Sequence, residues 1–109
     1  MTRATPLTAA ALAAVAAEHP GLPPGYLAYL RDVGAGEAAS GRMIYSAPVP
    51  PREILGEGFE RTDIVLLGDD FSGYCFGYDF TSSCYGEVSP DGTWQAWPPD
   101  RTLQHYVGP

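Results

Sequence analysis

Three carboxylates lie within the stretch LLGDDFSGYCFGYDF, Leu66 to Phe80: Asp69 and Asp70 side by side, and Asp79 on the run that follows. Three oxygen donors could hold a hard cation, and two could act as acid and base across a glycosidic bond. The spacing fits neither chemistry. A calcium loop of the EF-hand type needs regularly spaced acids and a terminal Glu, and that pattern is absent here. A glycosidase pair must flank a cleft at a defined separation, whereas adjacent strand residues point to opposite faces. The reading the residues favour is a turn. An Asp carboxylate accepts from nearby backbone N–H groups, and Ser72 and Gly73 supply the bend. One of the two acids is then left to meet a partner from the solvent side.

Other chemistry finds no better support. Ser72 stands in D-F-S-G-Y rather than in the G-x-S-x-G of a nucleophile elbow. The two histidines, His19 and His105, fall in predicted terminal helices. His19 suits a helix C-terminus, where a cation or polarised ring complements the dipole, and His105 reads as a helix-surface residue. The run GEGFER lacks the Lys and the following helix of a phosphate loop. Cys75 and Cys84 form no CxxC pair. A hairpin turning near Thr81 and Ser82 would set Cys75 opposite Val88 and Asp79 opposite Cys84, so both cysteines are read as reduced, partly buried thiols. No catalytic residue, metal site or cofactor is expected.

The aromatics carry more information. Tyr74, Phe76, Tyr78 and Phe80 alternate, which places them on one face of a strand as a core face. Cys75, Gly77 and Asp79 then face the other way, toward the acidic loops, with Tyr85 joining them. Gly77 leaves that side flat, open to a partner or to a neighbouring side chain. Trp94 and Trp97 are three apart and so fall on opposite sides of a regular strand, at most one of them in the core. An exposed Trp beside acids would make an interface anchor. The candidate partner contacts are Asp69, Asp70, Asp79, Tyr85 and Trp97.

These residues need elements to position them. Thr5 and Pro6 read as N-cap and first position of a helix over 6–18, stopped by Pro20 and Gly21. LPPGYLAYLRDVGAGE gives a second helix over 23–32, with Leu22, Tyr26, Tyr29 or Leu30, and Val33 as its apolar stripe and Gly34 just past its end. Residues 35–42 read as a flexible loop. RMIYSA is a strand, and Pro51 opens a helical turn carrying Ile54 and Leu55. DIVLLGD, with its continuous apolar run, is a central strand. YCFGYDF and YGEVSP follow as strands, and Asp91–Gly92 turns residues 85–89 back onto 93–97. Asp100 is expected to cap a last helix over 101–107. Strands joined by tight turns cannot be parallel neighbours. The expectation is a single α+β domain over 1–109, with a largely antiparallel sheet of four to five strands, two N-terminal helices, a short C-terminal helix, and the helices on one side.

Composition is consistent with one domain. At 109 residues with 45% hydrophobic and 12% aromatic content the chain can build one core. The net charge is −7, and all six cations are Arg. That balance argues against direct nucleic-acid binding, which needs a basic face, and permits a basic protein partner. TRATPLTAAALAAVAAEHP mimics a secretion signal, but its apolar stretch is mostly Ala, so a surface helix and a cytoplasmic location are the expectation. No apolar run reaches transmembrane length.

Three pieces in order resemble the SMI1/KNR4 (SUKH) family. LPPGYLAYLRDVGAG (22–36) resembles its LP-x-x-[YF]-x-x-[FY]-L helix running into a Gly turn. IVLLGDDFSGYCFGYDF (64–80) resembles its hydrophobic strand, G-[DN]-[DG]-x-[SG]-G turn and following strand, and YGEVSPDG (85–92) resembles the next strand. The final helix, RTLQHYV, is abbreviated, and the segment between the two halves is compressed. The resemblance implies a non-enzymatic protein-binding domain. Bacterial members are typically immunity proteins that neutralise a cognate polymorphic toxin domain, often a nuclease. Other members are regulatory or scaffolding modules that bind a host protein, which is the alternative reading.

Overall fold

Thr8, rather than Thr5, starts the first helix. In the computed structural model, which describes residues 4–59 and 61–108, α1 spans Ala9–Glu18, and the Thr8 hydroxyl accepts from Ala11 N at 3.1 Å. Thr5 is drawn away by the backbone. Its N–H donates to Ala35 O at 2.9 Å and its carbonyl accepts from Ala35 N at 3.1 Å, an antiparallel bridge that ties down the chain before the helix begins. Gly34 makes this approach possible. It follows the second helix, α2 (Pro24–Asp32), at φ +109°, and a Cβ there would lie 2.0 Å from the Thr5 carbonyl carbon. The first residues of the signal-like stretch, and Glu60 of the loop after residue 55, lie outside the described residues.

The sheet has six strands in sequence order, every neighbouring pair antiparallel. They are β1 (Gly36–Glu37), β2 (Met43–Val49), β3 (Ile64–Asp69), β4 (Cys75–Asp79), β5 (Cys84–Val88) and β6 (Trp94–Ala96). The α+β class, the antiparallel sheet, the N-terminal helices and the short C-terminal helix, α4 (Leu103–Val107), match the sequence reading. The sixth strand is β1, formed inside the segment read as a flexible loop: Gly36 and Glu37 pair with Ile44 and Met43. A two-residue strand has no periodicity to detect. The register of the β4–β5 hairpin is the expected one, with Cys75 opposite Val88 and Asp79 opposite Cys84. Thr102, not Asp100, stands at the N-cap of α4, and its N–H donates to His105 Nδ1 at 3.0 Å.

Both faces of the sheet are covered, which the expectation of helices on one side did not anticipate. On one face Tyr26 and Leu30 of α2, Val15 of α1, and Leu103, Tyr106 and Val107 of α4 pack on Ile44, Leu67, Phe76 and Tyr78. On the other, the helical turn α3 (Pro51–Leu55) brings Leu55, and the loop after it brings Phe59, onto Ile64, Leu66, Cys75 and Val88. Trp94 completes that second core. Its ring lies over Gly77 and Gly86, which face each other across β4 and β5; a Cβ at Gly86 would come within 2.6 Å of the indole and one at Gly77 within 3.2 Å. The flat floor left by Gly77 is thus occupied by a side chain of the same chain. Every residue of β4 is buried as a result.

Candidate partner-binding surface

The loop after β3 is built by the two adjacent acids. Asp69 Oδ1 accepts from Phe71 N at 2.9 Å, and Asp70 Oδ1 accepts from Ser72 N at 2.8 Å and Tyr74 N at 3.1 Å. Asp70 N–H closes the loop on Tyr74 O at 3.0 Å. The carboxylates therefore substitute for strand pairing across a three-residue reversal, the turn role read from the sequence. Asp69 is further fixed by Tyr45, whose hydroxyl donates to Oδ2 at 2.7 Å. Burial, with that hydrogen bond, pushes the Tyr45 phenol well above its ordinary range. Burial, then the nearby Asp69 and Asp70 charges, also raises the Cys75 thiol, so it stays protonated near neutral pH.

Immediately after these acids the chain makes an unusual choice. Phe71 sits at φ +65°, in the left-handed region that favours Gly or Asn, and Gly73 follows at φ +102°. Phe71 is 64% exposed and Tyr74 is 45% exposed. Sequence reasoning missed both. Alternation places Tyr74 on the core face, but the residue precedes β4 and belongs to the loop. The available signal was the composition of the turn: in DDFSG every residue but Phe71 is a turn former. Gly73 abuts the β5–β6 turn, since a Cβ there would lie 3.1 Å from Pro90 Cγ. Asp91 projects from that same turn, exposed, with its Oδ1 accepting from the Ser89 hydroxyl and from Thr93 N. Asp70, Phe71, Tyr74, Pro90 and Asp91 thus share one end of the sheet.

The other candidates do not join them. Asp79 lies at the opposite end of β4, paired with Ile64 rather than with Asp69, and is 5% exposed. Its Oδ2 accepts from Arg61 Nη2 at 2.9 Å, and its Oδ1 accepts from Thr81 N at 2.9 Å and Ser82 N at 3.4 Å. This is a buried latch for the β4–β5 turn, not an outward contact. Tyr85 does not share a face with Gly77 and Asp79. It pairs with Tyr78 and so lies on the aromatic side, stacked on Phe76 with ring centroids 5.3 Å apart. Burial pushes its phenol up to about 12. Trp97 is 7% exposed, donates from Nε1 to Glu87 Oε1 at 3.2 Å, and has the Arg101 guanidinium 4.4 Å from its ring centre. The two tryptophans do take opposite faces, but each face holds a core.

Tyr85 also lines a groove of about 530 Å³ between α2 and α4, together with Pro24, Ala28, Tyr29, Val33 and Leu103. Its one carboxylate, Asp32, is held by Arg31 at 2.8 Å. Among the described residues no three His, Cys, Asp or Glu side chains group closely enough to hold a metal ion, and no helix is long and apolar enough to cross a membrane.

The Asp79 latch yields a testable consequence. Asp79→Ala leaves Thr81 N and Ser82 N without their acceptor and Arg61 with one carboxylate fewer. The expected loss is about 2–3 kcal/mol in urea unfolding. Arg61 also holds the Asp63 carboxyl far below the usual range, chiefly by their hydrogen bond at 2.9 Å. A carboxyl whose folded pKa is depressed contributes stability above its unfolded pKa, about 4, and loses it as pH falls further. Urea midpoints measured at neutral pH and near pH 2 should therefore converge more in Arg61→Gln than in the parent. Equal acid sensitivity in both would refute this role of the pair.

Comparison with protein-family models, with curated proteins and with solved structures returns no match for this chain.

Proposed function

We propose that this chain is an immunity protein of the SMI1/KNR4 (SUKH) type, acting in the cytoplasm, which binds a toxin domain and neutralises it by protein–protein contact without catalysis. The observation that carries the reading is the end of the sheet whose two adjoining turns carry the exposed aromatics Phe71 and Tyr74 and the carboxylates Asp70 and Asp91. Exposed apolar surface rimmed by polar residues marks interaction sites, and aromatic side chains are enriched in protein interfaces. Two further features support it. The three pieces that resemble the family form, in order, α2 with its Gly34 turn, the β3–loop–β4 unit, and β5 with the turn after it. The net charge of −7 suits a basic partner such as a nuclease.

Such a protein acts by steric occlusion or by offering carboxylates to a basic active-site cleft. Co-expression with a toxin domain is the test, the domain being taken from a neighbouring gene that encodes a large protein with a variable toxic C-terminus. Full rescue of growth is the expected result, with a complex that survives gel filtration. If cells die at the same rate with and without the chain, the immunity reading fails for that pair and the regulatory or scaffolding alternative takes its place.

A further inference from the structure

We infer that the Phe71 ring is the anchor of the interface and seats in an apolar pocket on a cationic protein. This rests on the reading that the chain works by binding a protein partner, but not on that partner being a toxin.

The local structure gives Phe71 no internal task. Its backbone N–H is held by Asp69, its φ is +65°, and the residue is 64% exposed. A Gly or Asn would build the same loop with less strain. A residue that breaks the local rule without a gain in packing is expected where a site needs it. The loop around it is pinned by five hydrogen bonds, which Tyr45, Asp70, Phe71, Ser72 and Tyr74 donate to Asp69, Asp70 and Tyr74. An anchor held in place before binding loses little conformational freedom on docking.

Charge selects the partner. The described arginines are engaged elsewhere. Arg31 pairs with Asp32 and Arg61 with Asp63 and Asp79. Arg42 donates to Tyr106 O, Arg52 donates to Phe59 O, and Arg101 covers Trp97. Asp70, next to Phe71 in the chain, and Asp91, on the turn that Gly73 abuts, form no ion pair among the described residues. A second copy carries the same net charge of −7, and a nucleic acid or an anionic membrane is negative as well, so like charge disfavours all three. A protein with basic groups around an apolar pocket satisfies both the ring and the carboxylates.

The probe is the full chain carrying benzoylphenylalanine in place of Phe71, irradiated in its native host, with the same group in place of the exposed Ile54 on α3 as the control position. The expected product is a protein of basic composition crosslinked from position 71 and not from 54. That protein, purified, should bind the unmodified chain, with Phe71→Ala weakening affinity roughly 100-fold. Phe71→Gly should weaken it as much while unfolding at a temperature no lower than the parent, which separates lost contact from lost fold. Asp70→Asn should slow association and blunt its dependence on salt. Crosslinking to an acidic protein or to another copy, no product above the control, or unchanged affinity in both Phe71 variants would overturn the inference. The two proposals fail separately. A basic partner that is not a toxin removes the immunity reading and leaves the anchor standing, while a toxin neutralised equally by Phe71→Ala does the reverse.

Discussion

Phe76→Ala is expected to remove about 4 kcal/mol of stability, near the upper end for a single core substitution. Phe76 is fully buried at the centre of the sheet. Its ring stacks on Tyr106 with centroids 4.1 Å apart and on Tyr85 at 5.3 Å, and it meets Trp97 at 5.2 Å. Those contacts join β4 to β5, to the segment after β6 and to α4, so one ring fastens the C-terminal third of the chain to the sheet. Removing it leaves a cavity walled by other rings, which are too stiff to collapse into it. A domain of this size holds roughly 5–15 kcal/mol in all, so the variant should stay folded but melt about 15 °C lower. Urea unfolding with an unchanged slope is the check. Phe76→Leu, which keeps most of the volume, should cost less than half as much. A loss under about 1.5 kcal/mol for the alanine variant would mean that the ring stack carries little of the core energy.

The second large effect comes from adding a single carbon. Gly68 lies in β3, paired with Ile44 of β2 on one side and Phe76 of β4 on the other. A Cβ at this position would fall 2.0 Å from Met43 O and 3.2 Å from Tyr106 Oη, the same hydroxyl that donates to Met43 O at 3.2 Å. Neither neighbour can yield cheaply, because one is sheet backbone and the other belongs to the aromatic core. Gly68→Ala should therefore cost about 3 kcal/mol or more and open the β2–β3 pairing at this end. Gly58→Ala is the matched control. Nothing lies within 4 Å of a Cβ there and its φ is ordinary, so loss of unfolded-state freedom should leave that variant equal to the parent or slightly more stable. Urea midpoints of the two variants, moving in opposite directions or apart by several-fold, test the contrast. A Gly68→Ala variant as stable as the parent would show that β2 can shift to accommodate a methyl group.

The elements read correctly from the sequence share one property: their signals are local. The helix over Pro24–Asp32 follows from two prolines at its start, an apolar stripe, and Gly34 past its end. The β4–β5 register follows from the length of the turn between two runs of alternating residues. The Asp69–Asp70 turn follows from side chains that can bond their own backbone two to four residues on. The misreadings are equally consistent. Thr5 is a good cap by type, but its backbone pairs with Ala35, thirty positions away, and Thr8 takes the role. Alternation correctly put Cys75, Gly77 and Asp79 opposite Phe76 and Tyr78, yet could not show that Phe59 and Trp94 cover that side. Tyr74 obeyed the same alternation and is exposed because the strand begins one residue later.

Sequence alone therefore determined the class of the fold, the order of its longer elements, the pairing of the β4–β5 and β5–β6 hairpins and the use of Asp69 and Asp70 as turn builders. Each depends on residues a few positions apart, where backbone geometry and side-chain reach leave few alternatives. Tertiary structure decided which acids and aromatics are free. Whether Asp79 meets solvent or Arg61, whether Trp97 faces a partner or Phe76, and whether Phe71 is packed or presented all depend on what the rest of the chain lays over them. Exposure is set by contacts between residues far apart in the chain, and no local pattern encodes it.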